Sequence, residues 1–297
     1  MKVSQLLNQD KVTLSFEVFP PKTSSSYESV AHATQEIAAL RPDFMSVTYG
    51  AGGGTSEHTV NIAADLKKKY DVTVLTHLTC VSSTREHVAA MVKKYKDAGI
   101  ENILALRGDI PEGGAPHSDY HYAAELVRDI KSQGDFCVGG ACYPEGHVEA
   151  ANKTEDILHL KEKVDAGCEF LTTQMFFDNN IMYNFLYRIR EKGITVPVVA
   201  GIMPVTNVKQ IKRTAVQTGD TLKRITSMSG TYLPERFKAI VDRFGDNPAA
   251  MKQAGVIYAT EQIIDLIANG VNHIHVYSMN KPEIAAGIQS SLSEILK

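Results

Sequence analysis

Eight short apolar runs alternate with amphipathic stretches along the whole chain, and this alternation restricts the fold more than any other feature. The runs fall at 13–19, 44–49, 72–79, 102–106, 136–141, 170–174, 196–202 and 273–277. Their length and aliphatic content suit strands buried on both faces. Stretches of helical period lie between them at 26–40, 57–70, 84–98, 118–131, 154–166, 180–192, 208–218 and 248–268. Gly99, Gly167, Gly193 and Gly270 each stand just before a strand, where glycine closes a helix and opens a short αβ loop. Alternating strands and helices imply right-handed βαβ units and a parallel sheet. With no break in composition, eight such units predict an α/β chain forming a single (β/α)8 TIM barrel over 1–297. Only 227–247 departs from the rhythm; Gly230, Pro234 and Gly245 punctuate it, and an extra helix or a loop insertion is expected there.

Composition narrows the function classes. A hydrophobic content of 43% supplies the apolar mass that a barrel core needs. The net charge of -3 leaves no basic footprint, so nucleic acid is not an expected partner. No apolar run reaches membrane-spanning length and the first residues carry no signal-peptide pattern, so the expectation is a cytoplasmic protein away from membranes. Cys80, Cys137, Cys142 and Cys168 form no CxxC and no ligand spacing with histidine, so neither a metal site nor a disulfide framework is expected.

Glu17 is the residue most suggestive of chemistry. It lies near the end of an apolar strand stopped by Pro20-Pro21, where ionisation is costly and a carboxyl keeps its proton towards neutral pH. General acid catalysis needs such a group. The plain alternative is an edge glutamate facing water or paired with Lys22.

In a (β/α)8 barrel the active site gathers at the C-terminal ends of the strands. Those ends supply Glu17, Thr48-Tyr49-Gly50-Ala51, His77 with Thr79, and Arg107-Gly108-Asp109. Further round come Tyr143-Pro144-Glu145-Gly146-His147, Gln174, Asn207 and Tyr277-Ser278-Met279-Asn280. Each also has a plain structural reading. His77 could be a satisfied core histidine, and Arg107 and Asp109 could pair across a turn. The glycines of 50–54 match no phosphate-loop pattern and read as a flexible βα loop.

Several of these segments occur together in one family. Phe16-Glu17-Val18-Phe19-Pro20-Pro21, Ser46-Val47-Thr48-Tyr49-Gly50-Ala51, His77-Leu78-Thr79-Cys80 and Ala105-Leu106-Arg107-Gly108-Asp109 resemble methylenetetrahydrofolate reductase. Tyr143-Pro144-Glu145-Gly146-His147, Lys163-Val164-Asp165-Ala166-Gly167, Thr173-Gln174-Met175-Phe176-Phe177-Asp178 and Gly201-Ile202-Met203-Pro204-Val205 extend the likeness, in order, over nearly the whole chain. It is similar to the short bacterial form, the catalytic barrel alone.

The resemblance implies a FAD-dependent barrel that reduces 5,10-methylenetetrahydrofolate to 5-methyltetrahydrofolate by a ping-pong cycle, with NADH or NADPH as electron donor. It makes Glu17 the acid that opens the folate ring and Asp109 a charge beside the flavin and the pterin. Thr48 falls at a nicotinamide contact. Tyr49, Ala51, His77, Arg107, Gly108, Ala123, Tyr143, His147, Ala150, Asp156, His159 and Lys163 fall at flavin positions, with Arg107 and Lys163 suited to the pyrophosphate by charge. Gln174, Gln210 and Lys281 fall at folate contacts. A homo-oligomer is expected by analogy, and an electron-input partner subunit is a further expectation left open.

Four positions depart from the family pattern. His159 stands for an asparagine, Glu162 for an arginine, Lys281 for a folate-contacting arginine, and Thr214 for an aromatic over the nicotinamide and folate site. Rival readings are another flavin dehydrogenase, a folate-dependent methyl carrier without redox chemistry, and a non-catalytic folate-binding subunit of a one-carbon complex.

Overall fold

Eight parallel strands close on themselves in chain order, so the first is hydrogen-bonded to the last. The structure is a computed structural model that describes residues 1–21, 26–49, 55–110, 118–208, 210–211 and 231–297. Lys22, Ala51 with the rest of the glycine loop 50–54, Thr214, most of the expected helix at 208–218, and 227–230 lie outside the described residues.

The strands are β1 (Thr13–Val18), β2 (Phe44–Val47), β3 (Val74–Thr79), β4 (Asn102–Leu106), β5 (Cys137–Cys142), β6 (Phe170–Thr173), β7 (Val198–Ile202) and β8 (His273–Val276). The described helices are α1 (Val3–Leu7), α2 (Tyr27–Ala39), α3 (Thr55–Tyr70), α4 (Arg85–Asp97), α5 (Ala123–Gln133), α6 (Lys153–Asp165), α7 (Asn179–Glu191), α8 (Glu235–Phe244), α9 (Pro248–Ala268) and α10 (Pro282–Ser291). Every expected strand is present. Expected ends differ by a residue or two where the chain is already turning: Val72 N–H bonds back to Leu66 in α3, so β3 starts at Val74 rather than at 72. Gly99, Gly167, Gly193 and Gly270 all have positive φ after a helix, the left-handed C-cap that their spacing predicts. Among the described residues no helix is long and apolar enough to cross a membrane.

Successive strand residues face opposite ways. Phe16, Val18, Met45, Val47, Leu78, Ile103, Val138, Leu171, Ile202, Ile274 and Val276 point outward into the layer shared with the helices. The alternate set points into the barrel and is apolar at the bottom: Phe44, Leu75, Leu104, Cys137, Phe170 and Val199. Val3, Leu6 and Leu7 of α1, spaced to share one helical face, pack against that layer and plug the N-terminal end. Higher up, the inward set turns polar through Ser15, Glu17, Ser46, His77, Thr172 and His275.

Gly201 of β7 makes room for a crossing contact. A Cβ there would collide with the Tyr277 hydroxyl and the Thr173 carbonyl oxygen. Across that gap Tyr277 Oη donates to Thr173 O at 2.6 Å, tying the end of β8 to β6 over the intervening strand. On the outside, α8 and α9 enclose a separate cluster of Phe177, Val205, Ile211, Leu233, Phe237 and Met251.

Candidate active site

A cavity of about 940 Å³ opens at the C-terminal mouth of the barrel. Its wall brings together Glu17, Thr48, Tyr49, His77, Arg107, Gly108 and Asp109. Ala123, Tyr143, His147, Ala150, Asp156, His159, Lys163 and Gln174 line it as well. Gln210 and Lys281, also expected, are not on this wall. Gln210 Oε1 accepts from the N–H groups of Thr206 and Asn207 at 2.9 and 3.0 Å, and Lys281 Nζ lies 3.0 Å from Thr206 Oγ1.

Glu17 points inward from β1 with its side chain 19% exposed. Burial pushes its carboxyl up to about 7. His77 Nε2 lies 3.6 Å from Glu17 Oε2, but burial pushes that imidazole down to about 4. Between those values both groups are neutral, so the contact is dipolar and not an ion pair. Among the described residues His77 Nε2 has no hydrogen-bond partner.

A hydrogen-bond chain stands behind Glu17. Ser15 Oγ donates to Ile274 O at 2.9 Å, so its lone pair accepts from His275 Nδ1, 2.8 Å away. His275 Nε2 on the other side of the ring lies 3.0 Å from Ser46 Oγ. Ser46 Oγ also donates to Glu17 Oε2 at 3.5 Å, a long and weak bond. That bond favours the carboxylate and offsets only part of the effect of burial, which dominates and keeps the carboxyl raised. Burial pushes His275 down to about 3, in keeping with a neutral ring. Strand register builds this chain, because Ser15 pairs with His275 and Glu17 with Ser46.

The other end of the cavity holds two cations, Arg107 and Lys163, among several carboxylates. Arg107 does not pair with Asp109; its Nη1 and Nη2 grip Glu149 at 2.5 and 2.9 Å, and its Nε donates to Gly108 O at 3.2 Å. Lys163 Nζ donates to Ala141 O at 2.6 Å, and burial lowers its pKa. Asp156 faces the same space with its carboxyl raised by burial. Tyr143 and His147 meet edge to face with centroids 4.6 Å apart, and Tyr122 stacks on His159 at 5.8 Å. His159 lies between Glu155 and Glu162, at 3.7 and 3.6 Å. Gln174 Oε1 accepts from Met175 N at 3.0 Å, which fixes the amide at the rim.

The sequence reading missed Ser15, Ser46, His275 and Glu149. The first two were within reach, since stepping by two from Glu17 reaches Ser15 and stepping by two from Thr48 reaches Ser46. His275 and Glu149 needed the strand register and the loop path.

The fold and this cavity define a (β/α)8-barrel enzyme whose mouth joins a buried acid to a groove holding Arg107 and Lys163. The methylenetetrahydrofolate reductase family model matches residues 2–293. The 5,10-methylenetetrahydrofolate reductase of Pectobacterium carotovorum is 35% identical, the match covering 96% of this chain and 91% of that one. That of Escherichia coli K12 is 34% identical, over 96% and 92%. Methylenetetrahydrofolate reductase 1 of Schizosaccharomyces pombe is 36% identical over 94% of this chain, which spans 46% of that longer protein. This chain belongs to the methylenetetrahydrofolate reductase family, in its short bacterial form. Among solved structures, a Clostridium thermocellum protein described as binding two copies of 5-methyl-5,6,7,8-tetrahydrofolic acid shares the fold, with a TM-score of 0.65 at 14% identity over 99% of each chain.

Proposed function

We propose that this protein reduces 5,10-methylenetetrahydrofolate to 5-methyltetrahydrofolate with a bound FAD and a reduced nicotinamide donor, in a ping-pong cycle. One observation carries the reading: a buried carboxyl raised to about 7 sits on the wall of the cavity at the barrel mouth, in a chain of this family. The donor set of the cavity fits a flavin dinucleotide. Arg107 and Lys163 suit a pyrophosphate, Tyr143 and His147 offer aromatic faces, and the unpartnered His77 Nε2 offers a polar contact on the wall. When bound, the flavin supplies the hydride.

The residues of the chain do the acid–base and positioning work. Glu17 gives its proton to folate N10 as the bond from N10 to the bridging carbon breaks. The electron pair of that bond stays on N10, and the carbon becomes an N5 iminium that accepts hydride to form the methyl group. Burial keeps the proton on Glu17 until then. Asp109, exposed at the cavity edge, places a negative charge where the iminium cation forms. Thr48 is suited to the nicotinamide donor, and Gln174, held by its bond to Met175, to the folate ring. Gln210 and Lys281, joined through Thr206, would meet folate parts that extend beyond the cavity.

Anaerobic stopped-flow absorbance of the flavin band tests this. Wild type is expected to bleach with NADH or NADPH and recover with methylenetetrahydrofolate. Glu17→Gln is expected to bleach normally and recover at least a hundredfold more slowly, within the range for loss of a general acid. Bleaching without recovery in wild type would point to another flavin dehydrogenase. A colourless protein that cannot be reconstituted with FAD would promote the folate-binding subunit.

A further inference from the structure

Arg107 is the cation best placed to take a phosphate in the cavity, yet both of its paired donor edges are already in use. The end-on fork, Nη1 with Nη2, holds the Glu149 carboxylate at 2.5 and 2.9 Å. The side-on fork, Nε with Nη2, is blocked because Nε donates to Gly108 O at 3.2 Å. A guanidinium binds phosphate best through one of those forks. A phosphate entering this cavity can therefore reach neither while Glu149 stays in place.

Glu149 is built to leave. Its side chain is 50% exposed, whereas that of Arg107 is 25% exposed, so losing the pair returns the carboxylate to water at small cost. The backbone beneath it is held independently: Glu149 N donates to His147 Nδ1 at 3.1 Å and Ala150 N donates to His147 O at 3.0 Å. The side chain can swing away without unmaking the loop. Lys163, the other cation at this end, spends one of its three donors on the Ala141 carbonyl and offers a point charge, so Arg107 is where a phosphate can gain a paired fork.

We propose that Glu149 is an intramolecular stand-in for a ligand phosphate, and that binding of a pyrophosphate-bearing dinucleotide exchanges this carboxylate for the ligand on the Arg107 fork. The contact is autoinhibitory: it keeps Arg107 oriented in the empty site and subtracts from the affinity of the dinucleotide that displaces it. It sets selectivity as well, since a flavin without phosphate gains nothing from the exchange. The assignment rests on the flavin reading only for the identity of the dinucleotide; the exchange on Arg107 concerns the pyrophosphate alone.

The test is equilibrium binding to the flavin-stripped protein, followed by quenching of flavin fluorescence, for wild type, Glu149→Gln and Glu149→Asp. FAD should bind Glu149→Gln about three- to tenfold more tightly than wild type, with Glu149→Asp between them and riboflavin unchanged. Unchanged or weaker FAD binding to Glu149→Gln would overturn the proposal and make Glu149 a support for Arg107. Calorimetric titration with inorganic pyrophosphate gives the same comparison if wild type takes no flavin. In that event the flavin reading fails, and the exchange stands or falls on whether Glu149→Gln binds pyrophosphate more tightly.

Discussion

A carboxyl kept protonated by burial carries a stability cost that follows pH, and Glu17 shows its sign. Unfolded, the group ionises near its ordinary value of 4.5; folded, near 7. Below 4.5 both states hold the proton and Glu17 contributes nothing. As pH rises from 4.5 to 7 the unfolded state gains by ionising first, so stability falls, and above 7 the loss is complete at about 3 kcal/mol. Glu17→Gln carries a neutral amide of the same shape. The variant should be more stable than wild type by about 1–3 kcal/mol at pH 8, with the gap closing towards pH 4.5. Urea denaturation of both proteins at the two pH values checks this, and equal stability at pH 8 would mean that Glu17 is ionised at little cost. At this scale the sequence was a good guide: a carboxylate in an apolar run before Pro20-Pro21 was enough to single out Glu17. It could not say that Ser46 and His77 would be its polar neighbours, because that depends on strands β2 and β3.

Single elements separate what periodicity reveals from what it hides. The strands and the described helices between them were legible because each satisfies a regular pattern over many residues. Helix α1 was not, because Val3–Leu7 is too short for a period to stand out and its meaning comes from what it covers. Val3, Leu6 and Leu7 close the bottom of the barrel against Phe44, Leu75 and Phe170. Leu7→Ala should cost about 2–4 kcal/mol in chemical denaturation while leaving the flavin spectrum unchanged, because the plug lies at the end of the barrel remote from the cavity mouth. A loss below 0.5 kcal/mol would make α1 an ornament rather than a plug. Helix α10 was missed for a related reason: Pro282 opens it, and proline reads as a breaker until it is found in the first turn.

Closure of the barrel is a property of the whole molecule, and it determines the site. Ser15 meets His275 across 260 residues of sequence, and Ser46 meets His275 across 229. No local pattern carries those pairings; they exist because β8 returns to β1. The bond from Tyr277 to Thr173 has the same origin and depends on Gly201 between them. Gly201→Ala should cost about 1–3 kcal/mol by forcing Tyr277 and the Thr173 carbonyl apart. Tyr277→Phe should recover only part of that loss, because the carbonyl collision remains. Thermal denaturation of the two single variants and the double variant would show this, and full recovery would place the whole strain on the hydroxyl.

The sequence by itself determined the order of the strands and of the longer helices between them and the family, and it placed polar groups at the strand ends. Those properties follow from short-range periods and ordered motifs that survive without knowledge of long-range contacts. Tertiary structure alone decided which polar groups meet: Glu17 with Ser46 and His77, His275 with Ser15, and Arg107 with Glu149 instead of Asp109. Hydrogen bonds and ion pairs need their atoms within a few ångströms, and only strand register, barrel closure and the path of each loop fix distances that finely.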